Sequence, residues 1–244
     1  MLLAAGAEPV RAADLARELT FGGSVAFTTN YIYRGLSESG DDPAAQADVH
    51  VQSSAGTYVG AWGSTRDNNF EPYADFDVEL YLGQRFDLSN VWGVTMEARS
   101  HYYVGVAQHY AGAAHQPSDD YQQISASLVY LDRWTLSVTA IPNAVRYWYD
   151  QRLSRSPAWA AETSVQWLLW RGLFLTGSAG YYYSTGTGPG IEAGLGYAYG
   201  SVGLAFEYRR LRVDVGYFAT ENQARQMFPY PRANRVAATL AWRF

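Results

Sequence analysis

The chain has no cysteine, no lysine and no long hydrophobic run. Without cysteine there can be neither a disulfide framework nor a thiolate metal site. Without lysine, all 18 basic residues are arginine, and against 23 acidic residues they leave a formal net charge of −5. No basic run is dense enough for a nucleic-acid footprint, so no nucleic-acid partner is expected. No stretch approaches the roughly 18 consecutive apolar residues that a transmembrane helix needs.

What is present is evenly mixed. Hydrophobic residues make up 48% of the 244 positions, yet mean hydropathy is −0.22, so polar residues dilute the apolar ones throughout. Aromatics reach 16%, with 20 Tyr and 8 Trp. Such rings favour places where one end is apolar and the other wet, as at a membrane interface.

The dominant period is 2. Phe76, Val78, Leu80 and Leu82 alternate with Asp77, Glu79 and Tyr81. Trp92, Val94, Met96 and Ala98 alternate with Thr95, Glu97, Arg99 and His101. Val202 to Tyr208 and Leu211 to Tyr217 repeat the pattern. Strict alternation marks a strand with one apolar and one polar face. Twelve such segments lie near residues 24–34, 44–53, 58–66, 74–86, 91–102, 120–130, 134–141, 158–169, 173–184, 197–208, 211–220 and 234–244. Short connections such as 54–57, 87–90 and 209–210 alternate with longer ones rich in Gly, Pro, Asp and Asn, such as 35–43, 103–119 and 221–233.

An even strand count with short turns at one end and long loops at the other implies an all-β, transmembrane antiparallel up-and-down β-barrel of twelve strands, in the outer membrane of a Gram-negative bacterium. The apolar face then meets lipid and the polar face lines the lumen. Closure leaves no sheet edge unpaired in hydrocarbon. Residues 20–244 are assigned to this barrel. Residues 1–19 read as a leader or signal-peptide remnant, with Val10-Arg11-Ala12-Ala13 offering a Val-x-Ala cleavage site. The terminal strand puts Val236, Ala238, Leu240, Trp242 and Phe244 on one face. Ending on an aromatic, it resembles the signal through which outer-membrane barrels meet the barrel-assembly machinery.

Thr29-Asn30-Tyr31-Ile32-Tyr33-Arg34-Gly35-Leu36-Ser37 resembles the opening segment of the TorF-type porins, the Gcw_chp family of Gram-negative bacteria. Pro43 with the strand Ala44 to Ser53, Tyr58 to Ser64, and Val78 to Gly83 fit the same pattern. The resemblance covers residues 24–104 and the terminal strand, and it implies an outer-membrane channel. It carries over no substrate and no catalytic residue. The motif itself is expected to end the first strand at Arg34-Gly35, with Gly35 to Pro43 forming a first surface loop.

Charged residues on the polar faces are the candidate pore-lining groups: Asp77, Glu79, Glu97, Arg99, His101, Glu207, Arg212 and Asp214. A three-residue turn at Leu88 to Asn90 would set Glu79 opposite Arg99 and Asp77 opposite His101. A two-residue turn at Arg209-Arg210 would set Glu207 opposite Arg212. These charges either sort solutes by sign or pair with one another across a narrow lumen. Twelve strands about 4.8 Å apart and tilted roughly 40° close at a backbone radius of about 12 Å. Side chains then leave a gap of at most roughly 12 Å, which passes ions and small solutes or is closed by one folded-in loop, and Tyr103 to Asp119 is long enough to be such a loop.

His101, His109 and His115 with Asp119 and Asp120 offer donors for a rim metal site, but loop histidines are more often simply solvated, and no metal or cofactor is assigned. A Ser–His–acid arrangement of a lipid-modifying enzyme has no matching motif, and His50 and His101 point to the lumen, so no catalytic residue is assigned. Gly186-x-Gly188-x-x-Ile191 lacks the strand-then-helix context of a nucleotide loop. Trp92, Trp134, Trp167, Trp242 and Phe244 form the expected aromatic girdle at the short-turn end. The function this implies is passive diffusion of small hydrophilic solutes or ions, with outer-membrane lipid and lipopolysaccharide as surroundings. A non-conducting structural or adhesion barrel is the alternative, and a lipid-modifying enzyme the remoter one.

Overall fold

In a computed structural model, the described residues are 19–67, 74–105, 120–145, 155–186, 194–228 and 234–244, with the backbone of 147–148 and 151–152. Twelve strands form one closed antiparallel barrel, each paired with its neighbours in sequence. They are β1 (Leu19–Thr28), β2 (Ala44–Ser53), β3 (Thr57–Thr65), β4 (Phe76–Asp87), β5 (Trp92–Val104) and β6 (Tyr121–Tyr130). The second half comprises β7 (Trp134–Ala144), β8 (Ser156–Trp170), β9 (Leu173–Ser184), β10 (Leu195–Tyr208), β11 (Leu211–Thr220) and β12 (Arg235–Arg243). β12 closes on β1, with Ser24 opposite Arg243 and Thr28 opposite Thr239. One four-residue helix, α1 (Ala224–Met227), lies in the connection before β12.

The two faces separate as alternation demands. Phe21, Val25, Phe27, Leu80, Leu82, Met96, Ile124, Val138, Leu204 and Leu240 are all exposed on the outside. Their polar neighbours in sequence, among them Asp77, Glu79, His101 and Gln123, are buried within. A continuous apolar exterior around polar contents is an inside-out arrangement that hydrocarbon tolerates and water does not. No described helix is long and apolar enough to span a membrane.

The apolar cluster inside the barrel sits towards the long-loop end. Leu36, Ile141, Ala158, Tyr182, Tyr197 and Met227 pack together there, drawing on a loop, four strands and α1. At the other end the turns are tight. Leu131 and Asp132 take φ of 53° and 52°, and two successive positive φ values match the right-handed twist of the strands they join.

Two expectations are corrected. β1 ends at Thr28, not near residue 34, because Asn30 gathers a local polar network that turns the chain. The β4–β5 register is also shifted: Glu79 stands opposite His101, Asp77 opposite Tyr103 and Tyr81 opposite Arg99. The turn is longer than three residues. Ser89 Oγ accepts from the backbone N–H of Val91 (3.3 Å) and Trp92 (3.1 Å). The Trp92 carbonyl accepts from Leu88 (2.9 Å) and Ser89 (3.1 Å). The displacement is by two residues, so every side chain keeps its face. The leader reading falls on residues outside those described, apart from Leu19, which opens β1.

Candidate functional site: a loop across the lumen

Between β1 and β2 the chain turns inward rather than outward. Thr28 Oγ1 donates to the Asn30 carbonyl at 2.9 Å. The Asn30 side chain accepts from Ser37 Oγ at 2.7 Å and donates to Asp41 Oδ1 at 3.2 Å. Ile32–Tyr33 and Leu36–Ser37 then pair as a miniature hairpin. Its two-residue turn is Arg34-Gly35, with φ of 46° and 76°, the conformation a tight hairpin needs. The resemblance motif is therefore a folded hairpin and not the end of a strand with a surface loop. Tyr31, Arg34, Leu36, Ser37 and Ser39 are all buried.

The loop is fastened to opposite walls. Tyr31 Oη donates to Asp77 Oδ2 on β4 at 3.0 Å. Tyr33 Oη and Arg34 Nη2 both donate to Gln123 Oε1 on β6, at 3.2 and 3.1 Å. Across the barrel, Tyr197 Oη on β10 donates to the Arg34 carbonyl at 3.2 Å, and Thr220 Oγ1 on β11 donates to the Gly35 carbonyl at 2.7 Å. In a ring of twelve strands β4 and β10 face each other, so the hairpin spans the lumen. Gly35 permits the final approach, because a Cβ there would run into Thr220 Oγ1 and lie 2.7 Å from Tyr199 Cβ. Glu38 meets Arg66 at 2.6 Å, and burial pushes the Glu38 carboxyl above its ordinary range while Arg66 opposes the shift.

The charged candidates fall into two groups on facing walls. On β4 and β5, Arg99 pairs with Glu79 and donates through Nε to Glu97 Oε1 at 2.9 Å. Tyr58 Oη also donates to Glu97, at 3.0 Å. Asp77, Glu79 and His101 are almost wholly buried beside the loop. On β10 and β11, Glu207 stands opposite Arg212, as the two-residue turn requires. Arg212 reaches Glu207 at 2.6 Å, Asp214 at 2.7 Å and Gln166 at 2.9 Å. Arg99 is thus paired with Glu79 and Glu97 on one wall, and Arg212 with Glu207 and Asp214 on the other.

Between the loop and the short turns lies a cavity of about 370 Å³. Asn30, Tyr31 and Ile32 line it from the loop, and Gln46, Gln166, Thr176, Arg212 and Thr239 are among its wall residues. The lining mixes polar and apolar groups, and Arg212 and Asp214 bring charges of both signs to it.

Among the girdle residues, Trp92 packs on Tyr130 at 4.6 Å and edge-on to Trp134 at 6.2 Å between ring centres. Trp134 Nε1 donates to Thr163 Oγ1 at 2.8 Å. Trp167, Trp242 and Phe244 are exposed on the outside. His109, His115, Asp119, Gly188, Ile191 and most of the 103–119 connection lie outside the described residues. Sequence reasoning missed the loop's contacts, including Gln123, Arg66 and Tyr197. The available signal was Arg34-Gly35, a two-residue turn flanked by short apolar-aromatic pairs.

A family model described as a bacterial protein of unknown function (Gcw_chp) matches residues 12–150. No curated protein matches the chain. Among solved structures, the NanC porin superposes with a TM-score of 0.53 at 9% identity, covering 91% of this chain and 98% of its own. OmpF of Salmonella typhi, in complex with daunomycin, gives a TM-score of 0.45 at 11% identity, with 93% and 97% covered. At these identities the likeness to the NanC porin is one of fold.

Proposed function

The chain belongs to the Gcw_chp family of bacterial proteins of unknown function, and on that footing we propose that it is a porin-like channel of the Gram-negative outer membrane. It passes small hydrophilic solutes or ions by passive diffusion. The observation that carries this reading is the cavity inside the closed sheet, to which Gln46, Gln166, Thr176 and Arg212 present hydrogen-bonding groups. A barrel serving only as a membrane support has no need of an open interior that presents hydrogen-bonding groups. The hairpin across the lumen makes the path narrow, which favours ions and small solutes over bulky ones.

The apolar belt is suited to outer-membrane lipid and lipopolysaccharide. β12, ending in Phe244, is the segment offered to the barrel-assembly machinery. In planar bilayers the folded protein should give discrete conductance steps. Recordings that stay silent with demonstrably folded, inserted protein would overturn conduction and leave the non-conducting barrel as the reading.

A further inference from the structure

Three donor atoms face one another at the lumen wall beside the hairpin. His101 Nδ1 lies 3.2 Å from Glu79 Oε1 and 3.7 Å from Asp77 Oδ1, and one ligand atom from each residue lies within 4.8 Å of the others. The side chains are 1%, 3% and 3% exposed. Each carboxylate has its other oxygen engaged: Tyr31 Oη donates to Asp77 Oδ2 and Arg99 to Glu79 Oε2. The facing atoms are left over. Among the described residues, neither Asp77 Oδ1 nor either nitrogen of His101 has a hydrogen-bond partner. Buried polar atoms without partners are costly and rare in folded proteins, and each calls for an explanation.

The spacing supplies one. Ligands about 2.1 Å from a metal at tetrahedral angles lie roughly 3.4 Å from each other, and the two distances to His101 Nδ1 bracket that value. We propose that Asp77, Glu79 and His101 form a binding site for a divalent first-row transition ion of the Zn²⁺ type, with a further coordination position open to water. One imidazole with two carboxylates suits a borderline ion, and without thiolates the site does not select Cu⁺. The supporting contacts are those such sites use. The His101 ring stacks on Tyr121, with centroids 4.2 Å apart and planes 13° apart. Tyr31 and Arg99 orient the two carboxylates. Asp77, Glu79, Glu97 and Glu38 against Arg99 and Arg66 also leave room for positive charge.

Binding does not depend on whether the barrel conducts, so it is measured on the full chain folded in detergent micelles. Metal-stripped protein equilibrated with Zn²⁺ should retain one ion per chain. Asp77→Asn and His101→Gln should each weaken binding at least tenfold, while Asp214→Asn, which removes a carboxylate from the facing wall, retains it. Folding of each variant is checked by the shift in gel mobility between unheated and heated samples. Pulsed EPR of the Cu²⁺-loaded wild-type protein, which needs no variant, should show coupling to a single imidazole nitrogen. Absence of bound Zn²⁺ would overturn the site. So would more than one coupled imidazole, or unchanged binding in folded Asp77→Asn and His101→Gln, since either places the ion elsewhere.

Discussion

Tyr31 Oη donates to Asp77 Oδ2 at 3.0 Å, tying the inward loop to β4. Burial first, and then the negative charge of Asp77, push the Tyr31 phenol well above its ordinary value, so it stays a donor at any physiological pH. Hydrogen bonds to charged groups contribute about 1.5–3 kcal/mol. Tyr31→Phe removes this one and leaves a buried carboxylate short of a partner. The expected result is a loop that detaches more often, visible as larger and more frequent conductance fluctuations in planar bilayers. Fluctuations unchanged from wild type would mean that Tyr31 is not a clasp.

Gly35 tests the same loop at its far end. Its φ of 76° costs an L-residue about 1–2 kcal/mol, and a Cβ would also collide with Thr220 Oγ1. Gly35→Val should therefore unseat the hairpin from β10 and β11 and raise mean single-channel conductance above that of Tyr31→Phe. The sheet makes no use of Gly35, so the folded barrel's gel mobility should be preserved.

The barrel was legible because lipid imposes apolar alternation on every strand. Ala44–Ser53, Leu173–Ser184 and Leu211–Thr220 begin and end where the alternation does. The exceptions are places where a polar side chain overrides the pattern. Thr29 to Tyr33 continues an alternating run, yet Asn30 uses its amide on Ser37 and Asp41 and turns the chain inward. At the β4–β5 turn, the Ser89 hydroxyl captures two backbone N–H groups and moves Arg99 from opposite Glu79 to opposite Tyr81. The Glu79–Arg99 ion pair survives as a diagonal contact. Docking of the hairpin was not legible, since Asp77 and Tyr197 become its facing anchors only once the ring has closed.

Arg212 holds the balance of charge at the short-turn end. It pairs with Glu207 and Asp214, and Arg243 adds a second cation at 3.2 Å from Glu207. Arg212→Gln turns a neutral group of four into one with an excess negative charge beside the cavity. Under the proposed channel function, reversal potentials in a salt gradient should shift towards cation preference. Screening over a Debye length of about 10 Å at 0.1 M salt should make the shift larger at low ionic strength. A shift of the opposite sign would place the rate-limiting charges elsewhere along the path.

The closing seam offers the sharpest energetic test. Phe244 donates its backbone N–H to the Gly23 carbonyl at 3.1 Å, and its ring covers the place a Gly23 side chain would occupy. A Cβ on Gly23 would lie 2.7 Å from Phe244 Cζ and 2.5 Å from the Asp48 carbonyl oxygen. Gly23→Val should destabilise the barrel by about 1–3 kcal/mol through overpacking, measured by urea titration of the protein in lipid vesicles. Phe244→Ala should cost less, because lipid replaces much of what the half-exposed ring touches and the backbone bond remains. In the double variant the valine no longer meets the Phe244 ring, so the two losses should not add. The double variant should be more stable than the sum of the single losses predicts. Strict additivity would mean that the ring and the glycine close the barrel independently of each other.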